Sequence, residues 1–336
     1  MLLGLHSKQL GERGTEVALF DYAHGATYLL GHEVRIFVPA DSPRILPEVR
    51  HRFEQHFEVV PYELPAEIRC DALYVIKRGR KSSVTRDIPE LNHAFHEVDE
   101  PHGSRFAAVS DWLAGTSAHR MTLPWGRAIR IPRSRKPQVV PHIVTSPTTQ
   151  DHLRGELGIP DDAVVFGRHG AVGDFDIRFV HAAVRDALEQ RRDLWCVFLN
   201  TGRFYEHDRV VHIPRVPSRF DVARFINTCD YMIHARHHGE TFGLAVAEFA
   251  ISGAPVLTYL GSPRLAHLDL LDGDLLLGYR SYDDVFRYMT SLRRREHPVP
   301  SNIAVEYGAE CVKAGRKRTL LAPVENGPPL VSGHRP

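Results

Sequence analysis

Short apolar runs alternate with longer amphipathic stretches along nearly the whole chain. That pattern predicts strand–helix units and parallel sheets. In the first half, strands are expected at Met1–His6, Glu33–Val38, Asp71–Lys77, Ala94–Val98 and Arg105–Ser110. A polar glycine loop, Ser7–Gly14, leads from the first strand to a helix over Thr15–Leu30 that Gly31 stops. A further helix is expected from Trp112. Pro124–Pro141, rich in Arg and Pro, reads as irregular, and Val139–Val144 as the crossing into a second domain. The second half predicts a helix over Thr148–Leu157, strand Ala163–Gly167, helix Asp176–Gln190, strands Leu194–Asn200 and Val210–Ile213, and helix Arg219–Asn227. Further on come strand Leu275–Gly278, helix Ser281–Arg294 and a final helix Asn302–Ala314 before Gly315.

One unit carries most of the chemistry. Tyr231–Ala235 is apolar and reads as a strand end. Arg236–Glu240 is a polar loop, Phe242–Ile251 an apolar, Ala-rich helix, and Val256–Tyr259 the next strand. In an open parallel sheet, ligands bind beyond the carboxyl ends of the strands, which here means the loop Arg236–Gly243. A helix that starts near Gly243 points free backbone N–H groups into that loop and attracts a phosphate. Gly243 lacks a Cβ and lets a ligand approach the backbone. Glu240 is placed to accept hydrogen bonds from sugar hydroxyls. Glu248 sits within the apolar helical run, where a carboxylate needs donors. A ribose diol would supply two; an Arg or Lys elsewhere in the core would serve as well.

The run Glu240 to Glu248 resembles the E-x7-E motif of family 4 glycosyltransferases, with Phe225–Asp230 and the following strand matching that family's block around the donor loop. The resemblance implies an α/β protein of the GT-B fold, two Rossmann-like parallel-sheet domains facing across a cleft. It implies an acceptor domain at 1–144, a nucleotide-sugar donor domain at 145–300, a helix at 301–323 packing back toward the first domain, and a flexible tail at 324–336. The implied activity is retaining transfer of a sugar from a UDP- or GDP-linked donor to a hydroxyl acceptor, a growing glycan among them, with no cofactor. Glu248 would hold the ribose. Arg168, in the family's Gly-Arg position, would clamp the pyrophosphate with the backbone of Thr241, Phe242, Gly243 and Leu244. Gly11, Arg13 and Gly14 match the family's glycine loop on the pyrophosphate. Ile213 and Val216 would lie near the base, and His102, with Asp99 and Glu100 nearby, beside the sugar with Glu240. The family's second cation, a lysine, is missing. Gly173 stands about where it is expected, and Arg236 or Arg178 is the replacement, Arg236 being already in the donor loop.

The remaining features narrow the picture. A length of 336 residues suits two domains, and the 42 basic against 41 acidic groups leave a net charge of +1. That balance argues against nucleic acid as a partner. The basic stretch Arg127, Arg130, Arg133, Arg135 and Lys136 lacks an apolar face and implies at most peripheral membrane contact. Met1–Leu5 is too short for a signal or a membrane span. The widely spaced Cys70, Cys196, Cys229 and Cys311 read as reduced thiols of a cytoplasmic protein. Asp174 and Asp176 resemble a metal-binding pair but read as N-cap and first-turn residues of the following helix. His234, His237 and His238 do not have metal-ligand spacing. Two other classes stay open: a non-catalytic sugar-nucleotide-binding protein, kept alive by the missing lysine, and another enzyme on the same fold, such as an epimerase or phosphorylase.

Overall fold

The computed structural model describes residues 1–316 except 12–13, 99–100, 117, 123–127, 133–135, 148 and 217. The chain divides into two compact units, one of residues 1–143 joined by the helix Ala309–Arg316, the other of residues 144–308.

The first unit holds strands β1 (Leu2–His6), β2 (Glu33–Pro39), β3 (Glu58–Tyr62), β4 (Ala72–Gly79), β5 (Glu90–Val98) and β6 (Arg105–Ala108). A hairpin of β7 (Ala118–Thr122) and β8 (Ala128–Pro132) follows, then β9 (Gln138–Val139). Its parallel sheet runs in the order β3-β2-β1-β4-β5-β6-β9. Helices α1 (Gly14–Tyr28), α2 (Pro47–Glu54) and α3 (Asp111–Gly115) connect the strands. Leu3 and Leu5 of β1, Ile36 and Val38 of β2 and Leu73 of β4 are wholly or almost wholly buried, as strands covered on both faces require.

The second unit holds β10 (Val164–His169), β11 (Leu194–Leu199), β12 (Val210–Ile213), β13 (Tyr231–His234), β14 (Val256–Tyr259) and β15 (Leu276–Tyr279), ordered β12-β11-β10-β13-β14-β15, all parallel. Helices α4 (Arg178–Gln190), α5 (Arg219–Thr228), α6 (Leu244–Ile251), α7 (Tyr282–Ser291) and α8 (Ile303–Tyr307) serve it. Phe166, Phe198 and Ile233 form a core with Val180, Val184 and Leu188 from α4 and Val285 and Met289 from α7. The last helix, Ala309–Arg316, is α9.

Several expectations need correction. No α-helix occupies the described part of 148–157. The segment is instead a loop wound around the buried Arg154, whose guanidinium donates to the carbonyls of Pro160 and Ala163 and to Asp230 Oδ2 at 2.9 Å. The single final helix is two, α8 and α9, because the chain turns extended at Gly308, where a Cβ would run into the Ala304 carbonyl. The segment expected to be irregular contains β8, where Ala128-Ile-Arg-Ile-Pro132 carries a period-two alternation hidden among its arginines and prolines. Helix α2 and β3 were not expected: α2 starts at Pro47, whose fixed φ suits a first helical position. Asp176 and Asp174 do not cap α4, whose N-cap is Ile177 with no side-chain bond. All four cysteines are free thiols, and burial pushes those of Cys196 and Cys229 up, Cys196 to about 12. The expectations for Arg13, Asp99, Glu100, Arg127, Arg133, Arg135 and the tail at 324–336 lie outside the described residues.

The pair Arg154–Asp230 ties the start of the second unit to its sheet. Both side chains are 6% exposed, and Asp230 also accepts from the backbone N–H of Val165 and Arg295. Removing one member strands the other charge in a dry site. Arg154→Met is expected to destabilise the second unit's urea-unfolding transition by about 3–5 kcal/mol; an unchanged midpoint would show that the pair carries no such weight.

Candidate functional site

Strand order locates a crevice in each unit. In the second sheet the order reverses direction between β10 and β13, and crevices for ligands open beyond the carboxyl ends of strands at such a switch point. β10 ends in Arg168-His169 and β13 in His234, so the switch point is lined by a guanidinium and two imidazoles before any loop is considered.

Arg168 is 3% exposed. Its guanidinium donates to the Thr201 hydroxyl and, at 2.9 Å, to the Ala171 carbonyl, and lies 6.0 Å from the centre of the Phe175 ring. All these partners are neutral. Burial lowers its pKa to about 10, with the charges of Asp174 and Glu240 opposing that fall, so it stays cationic at neutral pH.

The loop after β13 is braced from two sides. Arg236 donates to Glu240 Oε2 at 2.6 Å and faces Asp174 Oδ2 at 3.4 Å. Asp176 accepts from the backbone N–H of His237 at 2.7 Å. The two aspartates that look like a metal pair in the sequence thus hold the loop in place. From the other side, segment 262–267 docks on the loop: Ser262 Oγ donates to the Arg236 carbonyl, Glu240 N–H to the Arg264 carbonyl, and Ala266 N–H to the Glu240 carbonyl. Gly239 (φ +63°) and Gly243 (φ +99°) make this approach sterically feasible. A Cβ on Gly239 would strike the Arg264 carbonyl oxygen, and one on Gly243 would come within 2.9 Å of His267 Cβ.

Glu240 is therefore held through backbone and side chain. His234 Nε2 stands 3.5 Å from its Oε1. Burial pushes its carboxyl up, but His234 and the charge of Arg236 outweigh that and leave it below the usual carboxylate range. Gly243 caps α6, so the first N–H groups of the helix open toward the same loop. Thr241 and Phe242 precede it, the Phe242 ring buried and edge-on to Tyr307 at 5.7 Å.

Glu248 lies one to two turns along α6, partly exposed, with Oε2 3.0 Å from His169 Nε2. His169 stacks on Phe249 at 5.8 Å and meets Phe225 edge-on. The carboxylate on the apolar helix is thus paired with a histidine rather than an Arg or Lys. Arg178 is exposed on the first turn of α4, while Arg236 sits in the cluster. Ile213 and Val216 are half-buried at and beyond the end of β12. Among the described residues no group of three or more His, Cys, Asp or Glu is placed to hold a metal ion.

The first unit has its own switch point between β1 and β4. Gly11 and Gly14 border α1 there. His102 Nε2 lies 3.0 Å from Lys77 Nζ, its carbonyl accepts from Asn92, and its ring packs against Phe106. Four residues of the second unit escape sequence reasoning: Thr201, His169, Thr258 and His267. Only His169 carries a readable signal, its place next to Arg168 at a strand end.

No family model matches the sequence, and no curated protein matches it. Solved structures do. The chain is similar to Anabaena HepE in complex with UDP-glucose (15% identity over 96% of this chain and 97% of that one, TM-score 0.60). It is similar to a glycosyltransferase from Rickettsia africae (11% identity, 96% and 95% covered, TM-score 0.61). It is also similar to WaaG, a glycosyltransferase involved in lipopolysaccharide biosynthesis (11% identity, 99% and 100% covered, TM-score 0.58). The likeness spans nearly the whole chain and establishes the fold: two Rossmann-like parallel-sheet units, as in these GT-B proteins.

Gly239→Ala tests the docking of segment 262–267. A side chain at φ +63° costs about 1–3 kcal/mol and also displaces Arg264. The amides of Glu240 and Ala266 are expected to exchange hydrogen about tenfold faster or more, with strand amides of β10 and β13 unchanged. Unaltered exchange at both amides would show that the contact does not hold the loop.

Proposed function

We propose that the chain is a glycosyltransferase that moves a sugar from a UDP- or GDP-linked donor to a hydroxyl acceptor with retention of anomeric configuration. We place the reaction in the cytoplasm, with a glycan as the first acceptor to try. The observation that carries this reading is the cluster of Arg168, Arg236 and Glu240 beside the Gly243-capped start of α6, all at the switch point of the second sheet. Support also comes from the fold shared with solved glycosyltransferases and with HepE, which was solved with UDP-glucose.

In this reading the diphosphate sits against Arg168 and the N–H groups of α6. Arg236 takes the place of the family's lysine. Glu248 holds the ribose, with its Oε2 oriented by His169, and Ile213–Val216 border the base. Glu240 accepts hydrogen bonds from the donor sugar. Gly11, Gly14 and His102 of the first unit belong to the proposal on the resemblance alone. As the bond from the sugar carbon to the phosphate oxygen breaks, charge builds on the diphosphate, and fixed cations and dipoles stabilise it. The acceptor oxygen bonds to that carbon, and its proton passes to the departing diphosphate. The guanidinium groups and helix start supply the positive field, so transfer should not need a metal.

Release of nucleoside diphosphate from a panel of UDP-, GDP- and ADP-sugars, with and without EDTA, tests this. Turnover of one UDP- or GDP-sugar is expected, unchanged by EDTA and reduced about 100-fold or more in Glu240→Gln. The absence of both turnover and saturable binding for every donor would remove the reading. Because Gly173 stands where the family has its lysine, saturable binding without turnover would instead assign a sugar-nucleotide-binding protein.

A further inference from the structure

Behind Glu240 lies a buried line of side chains that the transfer reaction as drawn does not use. His234 turns Nε2 toward Glu240 Oε1 and Nδ1 toward Thr258 Oγ1, 2.8 Å away. Thr258, on β14, meets His267 Nε2 at 2.9 Å through the same oxygen. His267 sits on the 3-10 turn Ala266–Leu270, which the backbone bond from Ala266 to Glu240 ties to the loop. His234 is 5% exposed, and Thr258 and His267 not at all. Among the described residues, neither His267 Nδ1 nor His234 Nε2 has a hydrogen-bond partner, although His234 Nε2 faces the Glu240 carboxylate at 3.5 Å.

Counting protons gives this line a direction. Thr258 has one hydroxyl proton and two ring nitrogens to serve, so one nitrogen accepts and the other donates. An ionised Glu240 only accepts, which favours the proton of His234 on Nε2. At 3.5 Å that contact is long for a hydrogen bond and acts mainly as the attraction of the N–H dipole to the carboxylate. In a neutral ring Nδ1 of His234 is then bare and accepts from Thr258. The Thr258 oxygen accepts in turn from Nε2–H of His267, whose Nδ1 is left as a bare lone pair. The opposite direction needs an imidazolium at His234 and puts an N–H on His267 Nδ1, a buried donor facing no acceptor. Burial holds the pKa of His267 down to about 3, so its ring is neutral at neutral pH.

We propose that His234, Thr258 and His267 are positioning residues that hold Glu240 in one orientation and in its ionised form, so that it meets the donor sugar as an acceptor of hydrogen bonds. The proposal rests on the reading of Glu240 as a donor-sugar ligand. None of the three touches substrate. Their effect reaches the reaction through Glu240 alone and leaves the nucleotide half of the site untouched.

Thr258→Val removes the hydroxyl at nearly constant size, and Thr258→Ser keeps it. The valine variant is expected to lower kcat for donor turnover roughly tenfold or more, as loss of a buried hydrogen bond does. Affinity for the free nucleoside diphosphate should stay within about twofold, and the serine variant within about threefold of the parent in kcat. Nitrogen-15 spectra of the histidine rings supply a readout that needs no donor. Neutral Nε2–H forms are expected for both His234 and His267, with the His267 signal shifted in Thr258→Val and retained in Thr258→Ser. A His234 ring protonated at Nδ1, a charged His267 at neutral pH, or equal losses in both Thr258 variants would overturn the proposal. Full kcat in Thr258→Val beside an inactive Glu240→Gln would overturn it while sparing the functional reading. An active Glu240→Gln would take down the functional reading itself.

Discussion

The candidate site depends on one close approach: segment 262–267 lies against the loop 236–243 through backbone hydrogen bonds. Two glycines with positive φ make room for it. The approach has three consequences at once. It fixes the backbone on both sides of Glu240, it sets the path by which the chain enters α6 at Gly243, and it carries His267 to Thr258. A loop of this length left free would pay for order only when ligand arrives. Here the order is built into the fold, in a region where backbone bonds rather than side-chain packing do most of the holding.

The charges in the same place are arranged asymmetrically. Arg236 is bonded to Glu240 and faces Asp174, so much of its field is already spent on carboxylates. Arg168 is held by a hydroxyl, a carbonyl and an aromatic ring, all neutral, and is nearly inaccessible. Its hydrogen bonds go to no carboxylate, and the opposite charges that act on it, those of Asp174, Glu240 and Asp176, favour its cationic form without bonding it. The two arginines therefore do different work. Arg168 makes no bond to a carboxylate, whereas Arg236 braces the loop and its charge helps to hold the Glu240 carboxyl below the usual range.

Much of the second unit was legible in the sequence because parallel strands buried on both faces are written as unbroken apolar runs. Val210–Ile213 and Val256–Tyr259 are read to the residue, and the start of α6 falls at Gly243 because the chain changes character there from polar loop to Ala-rich helix. Two of the misreadings share a cause, which is local pattern overridden by a distant partner. The stretch 148–157 has helical composition, yet Arg154 draws it around Asp230, 76 residues away in sequence. Asp174 and Asp176 sit where caps are found, yet their partners are Arg236 and the His237 amide, about 60 residues further on. Likewise, the pairing of Glu248 with His169 joins two strand-end and helix positions that no spacing rule connects.

The same reasoning explains why Arg168, Glu240 and Gly243 stand out in the sequence while the line behind Glu240 does not. Groups that meet a ligand cluster at the carboxyl ends of strands around a switch point, a position that strand order dictates whatever the side chains are. Arg168, Glu240 and the Gly243 helix start could be picked out one strand–loop–helix unit at a time. The line from His234 through Thr258 to His267 runs across the sheet, from β13 to β14 and on to a turn beyond it. Its members become neighbours only through strand pairing, with His234 set beside Thr258 in the β13–β14 register. Alternation along one strand gives no hint of such a line, and a lone Thr on an apolar strand reads as filler. What lies behind Glu240 is thus written in the register between strands, which becomes visible once the sheet is assembled.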